Sequence, residues 1–330
     1  MKINAAEKVN AYEWDELVIS VGGGYFQCYT EVIYNSICAG AEPMFARALE
    51  GQDQCLGIVT GTIARSRIWP FSRYSNWTMM TSTPVASDQT TQTEKLIMSA
   101  LEKYLRGQGV FSVRVDSYDS VRSEEILSSL GYELSARSEF YVDLSRSLDD
   151  IWAKFKGHRR TDIRKAEKLG VVTRRENSSE ALQLVEKFQA DSMHRRGITR
   201  GPMSQAKAEN RQKQLAKGNI DIFVTYKEGV PVNASLFGVF NNRPYYHVSG
   251  SSQEGYHCCG PVHLIWTAIQ TYKEQGVRVL GLGAALEGQT SLYKFKCDFG
   301  SEIVSQPIGI RRISKIGTGL HWIRSRLSRG

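Results

Sequence analysis

CGPVHLIWTAIQTYKEQGVRVLGLGAALEGQTSLYKFKCDFG, residues Cys259 to Gly300, reads as one helix–strand–helix unit. Its apolar positions Val262, Ile265, Trp266, Ile269 and Tyr272 fall at i, i+3, i+4, i+7 and i+10, the stripe of an amphipathic helix. Gly260-Pro261 stands where a first helical turn accepts proline, because the N–H that proline lacks has no intrahelical partner there. Gly276 ends the helix, Val277 to Leu282 reads as a strand, and a short helix through Leu292, Tyr293 and Phe295 closes on Phe299-Gly300.

The same plan recurs half a chain upstream. Gln108-Gly109-Val110 echoes Gln275-Gly276-Val277, and each follows an apolar-striped helix; the earlier stripe is Ile97, Ala100, Leu101, Tyr104 and Leu105. A strand with Val113 and Val115 follows, then a short helix with Ile126, Leu127 and Leu130. Gly131-Tyr-Glu-Leu134 then matches Gly300-Ser-Glu-Ile303. The two matches lie 167 and 169 residues apart, about half of 330, so the chain reads as two halves of similar plan.

Bulk properties agree. A chain of 330 residues that is 41% hydrophobic supplies two ordinary cores. Met1 to Glu16 is polar and acidic, unlike a signal peptide, and there is no apolar run long enough to span a bilayer. The six cysteines form no C-x-x-C pair, and no zinc spacing is present; a reducing cytoplasm is expected, and no metal. The net charge of +8 is concentrated in two places. Lys154 to Arg175 holds nine Lys/Arg against Asp162 and Glu167, and Arg311 to the end holds six against no acid; the remainder is net acidic. Such patches attract phosphate-bearing partners, or else they solvate helix faces.

In chain order, helices are expected at Tyr12 to Leu17 and Phe26 to Cys38, with strands at Met44 to Glu50, Cys55 to Ile63 and Trp77 to Met80. Gly22-Gly23-Gly24 is a turn and not a dinucleotide loop, since the G-x-G-x-x-G spacing and strand context are missing. The second half opens with Leu148, Ile151, Trp152 and Phe155 and runs into a basic helix ended by Gly170. Helices at Ser179 to Arg196 and Ser204 to Lys217 follow, then strands at Ile220 to Lys227, Val232 to Phe240 and Tyr245 to Gly250. The fold class is α+β: two tandem domains, each a mixed, largely antiparallel sheet flanked by helices. The boundaries are 1–145, 146–310 and a basic amphipathic tail over 311–330, with Ile316, Leu320, Ile323 and Leu327 at heptad-like spacing.

Leu130-Gly-Tyr132 resembles the closing motif of GNAT-type acyltransferases. Arg159-Arg-Thr-Asp-Ile-Arg-Lys-Ala-Glu-Lys-Leu-Gly-Val171, Gly260-Pro261 and Tyr293-Lys-Phe-Lys-Cys-Asp-Phe-Gly300 resemble the FemABX peptidyltransferases and their GNAT-like relatives, most strongly from Ser147 to Ile310. That resemblance implies two tandem GNAT-like domains. The long helical arm of some Fem proteins has no room here, since two modest helices fill the space between Val171 and Ile220.

The chemistry implied is acyl transfer to an amine, with acyl-CoA or aminoacyl-tRNA as co-substrate and no permanently bound cofactor. Lys296, in the Phe-Lys-x-x-Phe-Gly motif, is the expected catalytic cation. Gly260 and Pro261 at a helix start, with Arg159, Arg160 and Arg164, are expected to hold the donor. Tyr246, His247 and Phe295, and more weakly Arg196 and Arg200, are expected to contact the acceptor, with core packing claiming at least one tyrosine of the Tyr245-Tyr246 pair. The GNAT phosphate loop is met only loosely by Gln253 to Gly260, so the donor stays open. No carboxylate is singled out as base; Glu254 and Asp298 lie nearby in sequence. Gly281-Leu-Gly-Ala-Ala-Leu286 mimics a dinucleotide fingerprint and is set aside. Three functions follow. The first is a Fem-type or GNAT-like N-acyltransferase acting on an amine of a cell-envelope precursor such as peptidoglycan, or of a polysaccharide, at the inner face of the membrane. The others are an acyl-CoA-dependent N-acetyltransferase of small amines, and a non-catalytic binder of nucleic acid or membrane surface.

Overall fold

The computed structural model describes residues 1–51, 54–66, 74–198, 201 and 203–319. The chain forms two compact units, Met1–Ser138 with Ser305–Gly330, and Glu139–Val304.

The first unit runs β1 (Lys2–Ala6), α1 (Ala11–Ser20), α2 (Tyr29–Ala39), β2 (Glu42–Glu50), β3 (Gln54–Ala64), β4 (Asn76–Met80), β5 (Val85–Ala86), α3 (Thr91–Gly107), β6 (Val110–Val115), α4 (Ser123–Ser129) and β7 (Glu133–Ser135). The second runs β8 (Arg137–Asp143), α5 (Leu148–Lys154), α6 (Gly157–Lys168), β9 (Val172–Arg175), α7 (Ser179–His194), α8 (Gln205–Ala216), β10 (Ile220–Lys227), β11 (Val230–Phe240) and β12 (Arg243–Ser251). It continues with α9 (Gln253–His257), α10 (Gly260–Glu274), β13 (Val279–Leu286), α11 (Thr290–Cys297) and β14 (Glu302–Ser305), and β15 (Ile308–Arg312) follows. The basic helix expected to continue from Leu148 is broken: Phe155 takes extended φ/ψ and ends α5 before α6 begins.

The repeat is visible strand by strand. The first sheet has the order β1-β2-β3-β4-β6-β15-β7, with β5 on β3; the second has β14-β8-β13-β12-β11-β10-β9. Read from opposite ends, β4 matches β12, β6 matches β13 and β7 matches β14. The slots next to β6 and β13 are filled crosswise. β15, from the end of the chain, pairs antiparallel with β6 (Arg311↔Val113) and with β7 (Gly309↔Leu134). β8, from the middle of the chain, lies between β14 and β13. This moves the expected boundaries. The second unit begins at Glu139 and not after 145, and Arg311 and Arg312 are strand residues of the first sheet and not the start of a tail. Gly317 continues into that unit, where an added Cβ would lie 2.3 Å from the Tyr74 carbonyl. The remaining tail positions, Leu320, Ile323 and Leu327, fall outside the described residues.

α3 and α10 form for the same reasons. Each buries one apolar stripe, Ile97, Met98, Leu101 and Leu105 in one case, and Leu264, Ile265, Ala268, Ile269 and Tyr272 in the other. Each such large side chain contributes about 1.5–3 kcal/mol. Each helix is followed by a left-handed glycine, Gly109 (φ 74°) or Gly276 (φ 77°), whose N–H returns to the last turn. α3 also carries two buried acids. Glu94 takes both nitrogens of an Arg122 fork at 2.9 and 2.6 Å. Glu102 accepts Arg311 at 3.0 and 2.8 Å and the Tyr132 hydroxyl at 2.9 Å. Burial, with the Glu102 charge beside it, pushes the Tyr132 phenol well above its ordinary range. Part of the terminal basicity thus neutralises a core carboxylate. Arg311→Ala is expected to cost about 2 kcal/mol in urea unfolding, less than a fully buried pair because the guanidinium is a third exposed.

Candidate active site

In the first unit the parallel pair β4–β6 is registered at five positions, from Asn76↔Val110 to Met80↔Val115. In the second unit, among the described residues, the matching pair β12–β13 registers at Tyr245↔Gly281 alone. Both strands turn aside just beyond it. On β12 the register to β11 passes from Tyr246↔Phe237 to Val248↔Leu236, so His247 is the extra residue of a β-bulge. On β13, Gly283 adopts φ 77°, and an added Cβ there would lie 2.7 Å from the Tyr246 carbonyl oxygen and 3.2 Å from Lys296 Nζ. The ladder between two neighbouring parallel strands therefore ends at one level, and the ammonium of Lys296 is at that level.

Lys296 is 4% exposed. Its ammonium donates to the Ala284 carbonyl at 2.7 Å and stands 5.8 Å from the centre of the Phe140 ring. The kink at Gly283 turns β13 out of its ladder, and the lysine supplies a donor to the carbonyl that follows. By the 169-residue offset the first unit has Leu127 at this position, fully buried, so only the second copy carries a cation here.

α11, which bears Lys296, is braced against the start of α6. Asp298, 4% exposed, meets His158 Nε2 at 2.8 Å and Arg159 Nη2 at 3.3 Å, and its carbonyl accepts the Lys156 N–H at 2.9 Å. Arg159 also reaches Asp162 at 3.1 Å and lies 5.0 Å over the Phe295 ring, which packs edge-on against Phe299. Arg159, Phe295 and Lys296 are thus brought together around one short helix. Arg160 is turned to the Ala153 carbonyl at 3.0 Å, and the exposed Arg164 stacks over Trp152. Tyr246 is half-buried against Phe237, and burial raises its phenol. Arg196 is exposed just past α7, away from these contacts, and Arg200 lies outside the described residues.

The start of α10 is occupied by its own chain. Val262 and His263 both donate their N–H to the Cys259 carbonyl, Pro261 has none, and Gly260 is buried, an added Cβ falling 3.1 Å from the Gly255 carbonyl. One turn inside this helix, His263 Nδ1 is 2.8 Å from Thr173 Oγ1, itself 3.0 Å from Thr225 Oγ1. Burial holds this imidazole below its ordinary 6.5, with the Glu167 charge opposing in part. The neutral ring can accept the Thr173 hydroxyl, whereas the protonated ring cannot. Between the two pKa values the unfolded chain binds more protons, so stability is full above the unfolded value and declines as pH falls below it. Urea unfolding free energy is expected to fall from roughly pH 7 to pH 5 more steeply in the wild type than in His263→Gln.

Sequence reasoning missed Glu139, Tyr141 and Tyr245 as a group. The carboxylate of Glu139 accepts the Tyr141 hydroxyl at 2.6 Å and the Tyr245 hydroxyl at 2.9 Å. No sequence signal joins residues 106 apart; their meeting depends on β8 entering the second sheet. Among the described residues no cluster suited to a metal ion occurs, and no helix is long and apolar enough to cross a membrane.

Residues 153–296 match the family model described as an acetyltransferase (GNAT) domain. No curated protein matches the sequence significantly. Among solved structures, FemX is similar with a TM-score of 0.72 at 12% identity, over 94% of this chain and 97% of that one. The C-terminal domain of a protein assigned as a lysylphosphatidylglycerol synthetase from Agrobacterium fabrum has a TM-score of 0.56 at 12% identity, over 84% and 87%. A tandem GNAT protein from the clavulanic acid biosynthesis pathway has 0.52 at 9%, over 95% and 99%.

Proposed function

We propose that this chain, whose second unit carries an acetyltransferase (GNAT) domain in a tandem GNAT-like fold, transfers an acyl or aminoacyl group from an activated carrier to an amine. The observation that carries this reading is the end of the β12–β13 ladder beyond Tyr245↔Gly281, which leaves backbone groups of both strands outside that ladder at the level of the buried Lys296. Strand edges whose ladder has ended suit an extended, amide-bearing donor, which can pair with backbone groups as an added strand does. The amine lone pair attacks the acyl carbon and the carbonyl oxygen takes the negative charge; as the carbonyl re-forms, the bond to the carrier breaks and the carrier's sulfur or oxygen leaves with the proton that the amine gives up. The Lys296 ammonium, fixed in a dry site, stabilises that charge.

Acyl-CoA, the amide-bearing donor of the two, is the first in this reading and is favoured by the GNAT domain match; aminoacyl-tRNA is the second. The N–H groups opening α10 are engaged by their own chain, which weakens the usual place for a pyrophosphate, while α6 exposes Lys156, Arg164 and Lys168 to a polyanion. The acceptor in this reading is an amine on a cell-envelope precursor, met in the cytoplasm at the inner face of the membrane, as the FemABX resemblance of Arg159 to Val171 and of Tyr293 to Gly300 implies. The test is a mass-spectrometric screen of aminoacyl-tRNA and acyl-CoA donors against amines, with tRNA retention measured across salt concentrations. Product from either donor, lost in Lys296→Ala, supports the reading. Retention of tRNA without product from any donor would favour a binding protein instead.

A further inference from the structure

Glu139 is the first residue of the second unit, and its side chain has no solvent exposure. Its two oxygens are taken separately: Oε2 by the phenol of Tyr141, two residues along β8, and Oε1 by the phenol of Tyr245 on β12. Between β8 and β12 in the sheet lies β13. Tyr245 reaches across it because β13 has glycine at the two places the ring passes. An added Cβ at Gly281 would come 2.7 Å from ring atom Cδ2, and one at Gly283 would come 3.8 Å from Cε1. That same position on Gly283 is 3.2 Å from Lys296 Nζ. Tyr245 and Lys296 therefore meet against a single kinked residue.

Moving a carboxylate out of water costs several kcal/mol, and an apolar side chain of similar volume would pack there without that cost. What the carboxylate adds is direction, since hydrogen bonds to a charged acceptor are stronger than neutral ones and fix their donors in place. We propose that Glu139 is a positioning residue of the transfer site. By holding the Tyr245 hydroxyl it pins the ring over Gly281 and Gly283, and so fixes the edge of β13 whose Ala284 carbonyl receives Lys296. Its effect on turnover rests on the transferase reading above; its effect on Lys296 does not.

Two variants test this. Glu139→Gln keeps the volume and one oxygen but removes the charge, and Tyr245→Phe keeps the ring but removes the hydroxyl. Labelling of Lys296 by acetic anhydride, read by mass spectrometry against the exposed Lys294 on the same helix, is expected to rise about fivefold in each, as a locally loosened segment would allow. The kcat is expected to fall about tenfold with KM little changed, and the double variant to be no worse than either single one. Tyr141→Phe removes the phenol that does not cross β13 and should stay within about twofold of wild type in both readouts. Wild-type labelling ratios in both variants, additive losses, or Lys296 exposure that merely tracks lost thermal stability would each overturn the proposal. Should Glu139→Gln fail to fold, Tyr245→Phe, which deletes one oxygen atom, carries the same readouts. Labelling needs no turnover, so an inactive wild-type protein would sink the transferase reading and leave this one to be decided on Lys296 alone.

Discussion

Lys296→Met is expected to lower kcat for acyl transfer about 10²–10³-fold, the cost of losing one preorganised donor to an oxyanion. Methionine nearly matches the length of lysine and suits a position that is 4% exposed, so the fold should hold. The Ala284 carbonyl loses this donor, which costs about 1–3 kcal/mol, so the urea midpoint should fall modestly. KM for the donor should change by no more than about threefold, because the charge that Lys296 meets develops in the transition state. A variant that keeps kcat within about threefold of wild type would remove Lys296 from the chemistry and leave it a structural donor to Ala284.

The second large effect is expected at Gly283, and it is expected in stability and turnover together. Gly283→Ala meets two obstacles at once. A left-handed φ costs an L-residue about 1–2 kcal/mol, and the new Cβ would fall 2.7 Å from the Tyr246 carbonyl oxygen, a backbone atom with little room to give. Lys296 Nζ, 3.2 Å away, would also have to move. Unfolding free energy should fall by about 2–4 kcal/mol, and kcat should fall at least tenfold as the ammonium shifts by a few tenths of an ångström. Gly288→Ala is the control: its φ is 85° but nothing lies within 4 Å of the new carbon, so it meets the backbone term alone. Equal losses at the two positions would mean that the crowding at Gly283 has no energetic weight.

Much of this architecture was legible in local sequence. Periodicity located α3 and α10 because each buries one stripe, and the glycines after them are needed by the helix end itself, so both halves display the same punctuation. Lys296 was singled out by its motif, and Gly281-Leu-Gly283 was set aside as a dinucleotide loop on its spacing and the short helix after it. Its actual use, passage for the Tyr245 ring and a kink beside Lys296, depends on three strands at once and has no linear signature. The crossing of β8 and β15 was hidden for a related reason. Arg137 to Asp143 follows β7 directly, where a further strand of the first copy would also stand, and nothing local says which sheet it enters. Glu139 stayed invisible with it, since its partner Tyr245 lies far along the chain. Charge counting overstated the tail, because Arg311 is committed to Glu102. It also overstated the patch on α6, where Arg159 and Arg160 spend their guanidinium groups on Asp298, Asp162 and backbone carbonyls.

The placement of β15 has a consequence for how the chain comes off the ribosome. Translation delivers every strand of the second sheet by Ser305, whereas the first sheet keeps an empty slot between β6 and β7 until Ile308–Arg312 emerges. The part made first is therefore the part completed last, opposite to the usual order in which amino-terminal domains mature ahead of those behind them.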